Sequence, residues 1–159
     1  GLRSAALVEA ALDLGVARVV VGTAAYDNQG FLRGLCERFP EKIVVGIDAR
    51  NGKVAVKGWK ETTSMDALEL AKRCAADGAA RIIYTDISRD GTREGVNVEE
   101  TLRLARSVSI PVIASGGVAT LEDIHRLLPL EADGVEGVIV GRALYNGSFK
   151  LKEATSLSL

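Results

Sequence analysis

Five short runs of β-branched and other apolar residues recur along the chain, each separated from the next by a stretch with helical spacing. This alternation limits the architecture more than any other feature. Residues 16–21, 42–47, 81–87, 111–114 and 137–140 read as strands, apolar on successive positions as strands buried on both faces should be. Residues 4–14 set Leu7, Val8, Ala11 and Leu12 on one helical face, and residues 28–39 do the same with Phe31, Leu32, Leu35, Cys36 and Phe39. Ser64 is the expected cap of the helix holding Ala67, Leu68, Ala71 and Cys74. Asn97 with Glu100 resembles a capping box, and Thr120 with Asp123 a looser one ahead of Ile124, Leu127 and Leu128. The order αβαβαβαβαβ implies a parallel sheet wrapped by helices, either doubly wound or a (β/α)₈ barrel. Strand ends recur every ~25 to 38 residues, a regularity that favours the barrel. The longest gap holds residues 50–59, whose Asn-Gly-Lys-Val centre predicts a hairpin.

Residues 1–28 also resemble residues 117–146: each stretch opens on Gly, continues as a helix and closes on a β-branched run followed by Gly. The repeated Gly22 and Gly141 stand about four βα units apart, half a turn of an eight-unit barrel. The simpler reading is that all βα units look alike. The sharper one is a two-fold pseudo-symmetric barrel with an anion site in each half.

Composition removes several function classes. With 20 basic against 21 acidic residues and a net charge of −1, the chain lacks the basic surplus that binding a phosphodiester backbone exploits, so no nucleic-acid partner is expected. At 47% hydrophobic and 26% charged it sits at the globular average, which disfavours disorder and coiled coil. Apolar stretches such as residues 19–26 fall far short of the ~20 residues that span a bilayer. No basic-then-apolar leader opens the chain, so a soluble, cytoplasmic protein is expected. Cys36 and Cys74 are not in Cys-x-x-Cys spacing and read as buried filler. His125, the one histidine, falls on a helix surface, which argues against a histidine triad or a zinc site, and no metal is expected.

In a barrel, chemistry gathers at the carboxyl ends of the strands. Those ends read Gly22–Thr23, Asp48, Thr85–Asp86, Ser115–Gly116–Gly117 and Gly141–Arg142. Ser115 to Gly117, followed by a helix capped at Thr120, offers backbone N–H groups beside a helix N-terminus, a geometry that suits phosphate. Gly141–Arg142 adds donors after the last strand, and Gly22–Thr23 is their partner in the repeat. Two anion sites half a turn apart imply a ligand with a phosphate at each end. Between them, Asp48 ends a buried strand, where partial desolvation suits a general acid. Thr85 ends the neighbouring strand within reach of a carboxylate. Asp90, in Ser-Arg-Asp-Gly-Thr, is either a turn former or a site residue. Lys57 and Trp59 on the inserted hairpin are either a lid or an exposed structural pair.

At these residues the sequence resembles a known family. IDARNGKVAVKGW (47–59), IIYTDISRDGT (82–92), PVIASGGV (111–118) and GVIVGRALY (137–145) together resemble the histidine-biosynthesis isomerase family HisA, which acts on the ribonucleotide abbreviated ProFAR. The resemblance implies a (β/α)₈ TIM barrel that converts an aminoaldose into an aminoketose by Amadori rearrangement, with no metal or organic cofactor. Its substrate carries two phosphates. By resemblance, Asp48 is the proton donor that opens the furanose ring, Thr85 its supporting hydroxyl and Asp90 a further carboxylate near the sugar. Ser115, Gly116 and Gly117 with Gly141 and Arg142 resemble one phosphate cradle, and Gly22 with Thr23 part of the other. The cyclase HisF shares the barrel and some signatures, while TDIS, KGW and VGRA fit the isomerase better. Two further alternatives are an FMN-dependent barrel and a non-catalytic half-barrel that binds phosphate or self-associates.

The opening GLRS resembles the helix after the family's third strand, so the expected architecture for residues 1–159 is one incomplete barrel, strands four to eight of eight. The family's other catalytic carboxylate, at the end of its first strand, has no counterpart. Five parallel strands cannot close, so edges and much of the interior are expected to face water, and the 159 residues alone are expected to be nearly inactive. The parent protein is expected to be monomeric.

Overall fold

The computed structural model describes residues 2–92 and 94–157. Helix α1 (Ala5–Asp13), capped by Ser4, leads into β1 (Val19–Val21), the short α2 (Thr23–Asp27) and α3 (Gln29–Arg38). Strands β2 (Ile43–Arg50), β3 (Lys53–Val56) and β4 (Glu61–Asp66) run on as an antiparallel meander before α4 (Ala67–Ala76). Three β-then-helix units follow. They are β5 (Arg81–Asp86) with α5 (Val98–Ala105), β6 (Val112–Ser115) with α6 (Leu121–Leu127), and β7 (Val135–Ile139) with the short α7 (Arg142–Tyr145) and α8 (Leu151–Thr155). A 3₁₀ turn (Leu128–Asp133) precedes β7.

The sheet has seven strands, of which β1, β2, β5, β6 and β7 are parallel neighbours in that order. One side of β2 is taken by β5. The other is shared, with β1 against Ile43, Val44 and Val45 and β3 against Asp48, Ala49 and Arg50. The β3–β4 hairpin therefore stands directly beyond the carboxyl end of β1. The sheet does not close on itself. The fold is α/β with a mainly parallel open sheet, consistent with part of a (β/α)₈ barrel.

Burial alternates along the strands. Val45, Ile47, Ile82, Tyr84, Val112 and Ala114 are buried beneath the helices, whereas Val20 is 51% and Ile139 43% exposed. The expectation of strands buried on both faces is corrected accordingly: both faces are apolar, but helices cover only one. The covering helices supply Val8, Leu32, Leu35, Leu70 and Leu104, all buried, and burying each such side chain contributes about 1.5–3 kcal/mol. Cys36 and Cys74 are buried as expected.

Three local expectations differ from the structure. Ser64 does not cap α4, because it lies within β4; Asp66 caps instead, its carboxylate accepting from Leu68 N at 2.9 Å. Thr62 and Thr63 extend the β-branched run into a strand paired with β3, which carries the chain past Ser64. The first strand begins at Val19, since Gly15 (φ +89°) ends the preceding helix with a left-handed turn. The expected hairpin forms on Asn51 (φ +51°) and Gly52 (φ +74°), the pair of left-handed residues that a two-residue turn requires. Its continuation into β4 was not expected. Among the described residues, no helix is long and apolar enough to cross a membrane.

Candidate active site

Strand register brings three of the expected site residues into one row. Asp48 pairs with Thr85, and Thr85 pairs with Ser115, across the parallel strands β2, β5 and β6. Residues aligned in a parallel ladder project to the same face. Here that is the open face. Asp48 is half-buried and Thr85 buried. Asp48 takes Trp59 as its partner rather than Thr85: Trp59 Nε1 donates to Asp48 Oδ2 at 2.8 Å.

Trp59 reaches that carboxylate through an unusual hairpin tip. Lys57, Gly58 and Trp59 all have positive φ (55°, 67° and 68°). A non-glycine residue in this region costs roughly 1–2 kcal/mol, so the tip is held by its contacts. Lys57 N donates to Thr23 Oγ1 at 3.3 Å, and Lys57 Nζ pairs with Glu61 Oε2 at 2.7 Å. The hairpin thus lies over the mouth, tied to the Gly22–Thr23 turn on one side and to the Asp48 carboxylate on the other.

A second grouping forms at β6 and β7. A cleft of about 100 Å³ is lined by Asp90, Gly91, Ser115, Gly116, Gly117, Gly141 and Arg142. The backbone here is tightly built. Gly116 (φ +92°) passes so close to the Asp86 carbonyl that a Cβ would come within 2.6 Å of its oxygen. A Cβ on Gly117 (φ +85°) would overlap the Gly95 carbonyl oxygen and lie 2.9 Å from Arg89 Cβ. Only glycine permits both the conformation and the approach. Asp90 proves to be both a turn residue, its N–H donating to Asp86 O at 3.1 Å, and part of this cleft.

Two contacts bear on the expected phosphate cradle. Two donors just ahead of α6 are engaged within the fold, because the Asp123 carboxylate accepts from Ala119 N at 2.9 Å and Thr120 N at 3.0 Å. An Asp three residues into a helix folds back onto its own N-terminus, here as the capping box of Thr120 and Asp123. The cleft itself is walled by the glycine turn and by the Gly141–Arg142 step after β7. The Arg142 guanidinium lies over Gly91 and donates from Nη1 to its carbonyl at 3.2 Å, so it straps the Asp90 loop.

The Gly22–Thr23 turn opens a separate cavity of about 760 Å³, lined by Thr23, Asp27, Asn28, Lys57, Lys60 and Arg3 among others. Arg3 and Lys60 face it beside Asp27, and Lys57 does so while paired with Glu61. Arg3 and Lys60 escaped the sequence reading, as did Ser148 in the smaller cleft. Isolated exposed cations and a lone serine carry no local pattern that separates them from solvated surface. Among the described residues, no group of three or more His, Cys, Asp or Glu side chains is arranged to hold a metal ion.

Comparison with known proteins bears on this arrangement. Residues 1–150 match the model of the family described as histidine biosynthesis protein. Curated relatives named 1-(5-phosphoribosyl)-5-((5-phosphoribosylamino)methylideneamino)imidazole-4-carboxamide isomerase are similar over almost the whole chain. The protein from Geobacter sp. (strain M21) is 52% identical and that from Syntrophus aciditrophicus (strain SB) 55% identical, each over 158 residues, 99% of this chain and 65% of the relative. The one from Syntrophotalea carbinolica is 54% identical over the same span. The chain therefore covers about 65% of the length of the relatives it matches. With a family match over nearly all its residues and an open parallel sheet carrying the expected strand-end residues, the chain belongs to the histidine biosynthesis protein family.

Proposed function

We propose that this chain is the greater part of a (β/α)₈ barrel whose complete form is a ProFAR isomerase, interconverting an aldose and a ketose by Amadori rearrangement of a bisphosphorylated ribonucleotide. The observation that supports this reading is the row Asp48, Thr85, Ser115, which sets one carboxylate on the same open face as the residue that opens the glycine turn. Asp48 protonates the furanose oxygen and opens the ring, with Thr85 beside it. Asp90 approaches the sugar from the loop over the smaller cleft. The proton on the sugar's second carbon then leaves to a base in the remainder of the protein. One phosphate seats on Ser115, Gly116 and Gly117 with the Gly141–Arg142 backbone, and the other on Gly22–Thr23. Because Trp59 covers Asp48, substrate entry displaces the hairpin tip or packs against it. The relatives carry the isomerase name, which supports this reaction over cyclisation. On the same reading the enzyme is cytoplasmic, monomeric and free of cofactor.

The test is turnover of ProFAR by a full-length protein containing this chain. Asp48→Asn should lower kcat by about 10²–10⁴-fold, the usual worth of a general acid, while KM changes little. A parent protein that leaves ProFAR untouched, or an Asp48→Asn variant with parental kcat, would overturn the reading.

A further inference from the structure

We propose that Asp86 is a positioning residue, a buried clamp that fixes the loop carrying Asp90; the inference rests on reading Asp90 as part of the active site. Asp86 follows Thr85 on β5 and so projects to the helix-covered face, away from the row of Asp48, Thr85 and Ser115. It is only 6% exposed, and a carboxylate this buried persists only where donors satisfy it. The donors come from both roots of the loop. Asp86 Oδ1 accepts from Ser88 N at 3.0 Å and from the Ser88 hydroxyl, and Oδ2 accepts from Asn97 Nδ2 at 2.6 Å. Asn97 in turn caps α5, its Oδ1 accepting from Glu100 N at 3.2 Å.

The main chain of the same residue completes the clamp. Asp86 O accepts from Arg89 N and from Asp90 N, both at 3.1 Å. That carbonyl is also the one against which Gly116 packs. Asp86 thus ties together the start of the loop, its return into α5, the backbone of Asp90 and the glycine turn of the smaller cleft. A catalytic group misplaced by about 1 Å can lose roughly 10²-fold in rate, and Asp86 is placed to prevent that displacement without touching substrate.

The donor and acceptor pattern supplies the test. Asp86→Asn sets an amide NH₂ against either Ser88 N–H or the Asn97 NH₂, and Asn97→Asp sets carboxylate against carboxylate. The exchange Asp86→Asn with Asn97→Asp restores one donor and one acceptor across the gap and leaves an oxygen at position 97 to cap α5. In the full-length protein, each single variant should lower kcat by about 10- to 100-fold with KM within about threefold, and the exchanged pair should return to within about threefold of the parent. Asp86→Asn added to Asp90→Asn should cost less than about a further twofold, which a merely stabilising residue would not show. Amide hydrogen exchange at Ser88 and Asp90 should rise at least tenfold in Asp86→Asn and fall back in the exchanged pair. If Asp86→Asn does not fold, Ser88→Ala, which removes only the hydroxyl donor, should raise the same exchange about threefold. The clamp is overturned by unchanged amide exchange, by an exchanged pair no better than either single, or by losses at 86 and 90 that multiply. If the parent shows no turnover, the functional reading falls, and amide exchange alone decides the clamp.

Discussion

Gly22 and Gly141 share nearly the same backbone, φ −117°, ψ −108° and φ −102°, ψ −104°, and each caps a short helix just after a strand. Their surroundings have little in common. Around Gly141 the cleft is about 100 Å³ and is walled by main chain, with Gly116 and Gly117 pressed against the Asp86 and Gly95 carbonyls. Next to Gly22, at Thr23, the space is about 760 Å³ and is edged by Arg3, Lys60 and the Glu61-paired Lys57, while Gly22 itself is not on its wall. One strand-to-helix step has therefore become a stiff socket in one place and a broad cationic mouth in the other. A socket built from backbone amides is already ordered and discriminates by shape. Long cationic side chains discriminate by charge and lose rotamer freedom on binding.

The contrast is most directly broken at Gly117. Gly117→Ala must relieve both a positive φ and an overlap with the Gly95 carbonyl, and should destabilise the full-length protein by about 2–4 kcal/mol in denaturant unfolding. Lys60→Ala, at the cationic mouth, should shift stability by no more than about 0.5 kcal/mol. Equal effects from the two substitutions would erase the distinction. Binding is the next lever. Lys60→Ala should raise KM by up to roughly fivefold at low ionic strength, and the difference should fade near 1 M salt, where the screening length falls to about 3 Å. A salt-independent loss would mean that Lys60 acts by shape.

The smallest effect concerns alkaline pH. Burial pushes the Cys36 thiol from its ordinary value of 9.0 up to about 11, helped by Asp77 and Glu37, and burial likewise pushes Cys74 up to about 12. Both thiols are thus held protonated in the fold. Their contribution is complete below about pH 9 and is lost as pH rises through 11. Cys36 lies on α3 and Cys74 on α4, in the half that bears Gly22. Amide exchange followed from pH 8 upward, corrected for its intrinsic base dependence, should show that half loosening first, and replacing both cysteines by Ala should remove the difference.

What the sequence could disclose follows from the range of the interactions involved. Asn97 and Asn51–Gly52 were legible because a cap and a two-residue turn are decided within three or four positions, and the structure shows both. Ser64 misled because pairing with β3, a contact to a different strand, outweighed a local capping preference. The row of Asp48, Thr85 and Ser115 followed from strand ends and parallel order alone. The bond from Trp59 to Asp48 did not, since it depends on three consecutive left-handed residues that no propensity favours. Asp86 stood at a strand end beside Thr85 without a role, because alternation along a strand sends one neighbour to the open face and the other beneath the helices, where its partners are set by the fold.

The pairing of Asp48 with Thr85 and of Thr85 with Ser115 also sets a ruler. Neighbouring strands lie about 4.8 Å apart, so two steps across the sheet separate Asp48 from Ser115 by about 10 Å. That interval is graduated in hydrogen-bonded backbone, which side-chain exchange cannot stretch. On the proposed reading, a sugar phosphate too short to bridge it would dock at one end and leave the other idle.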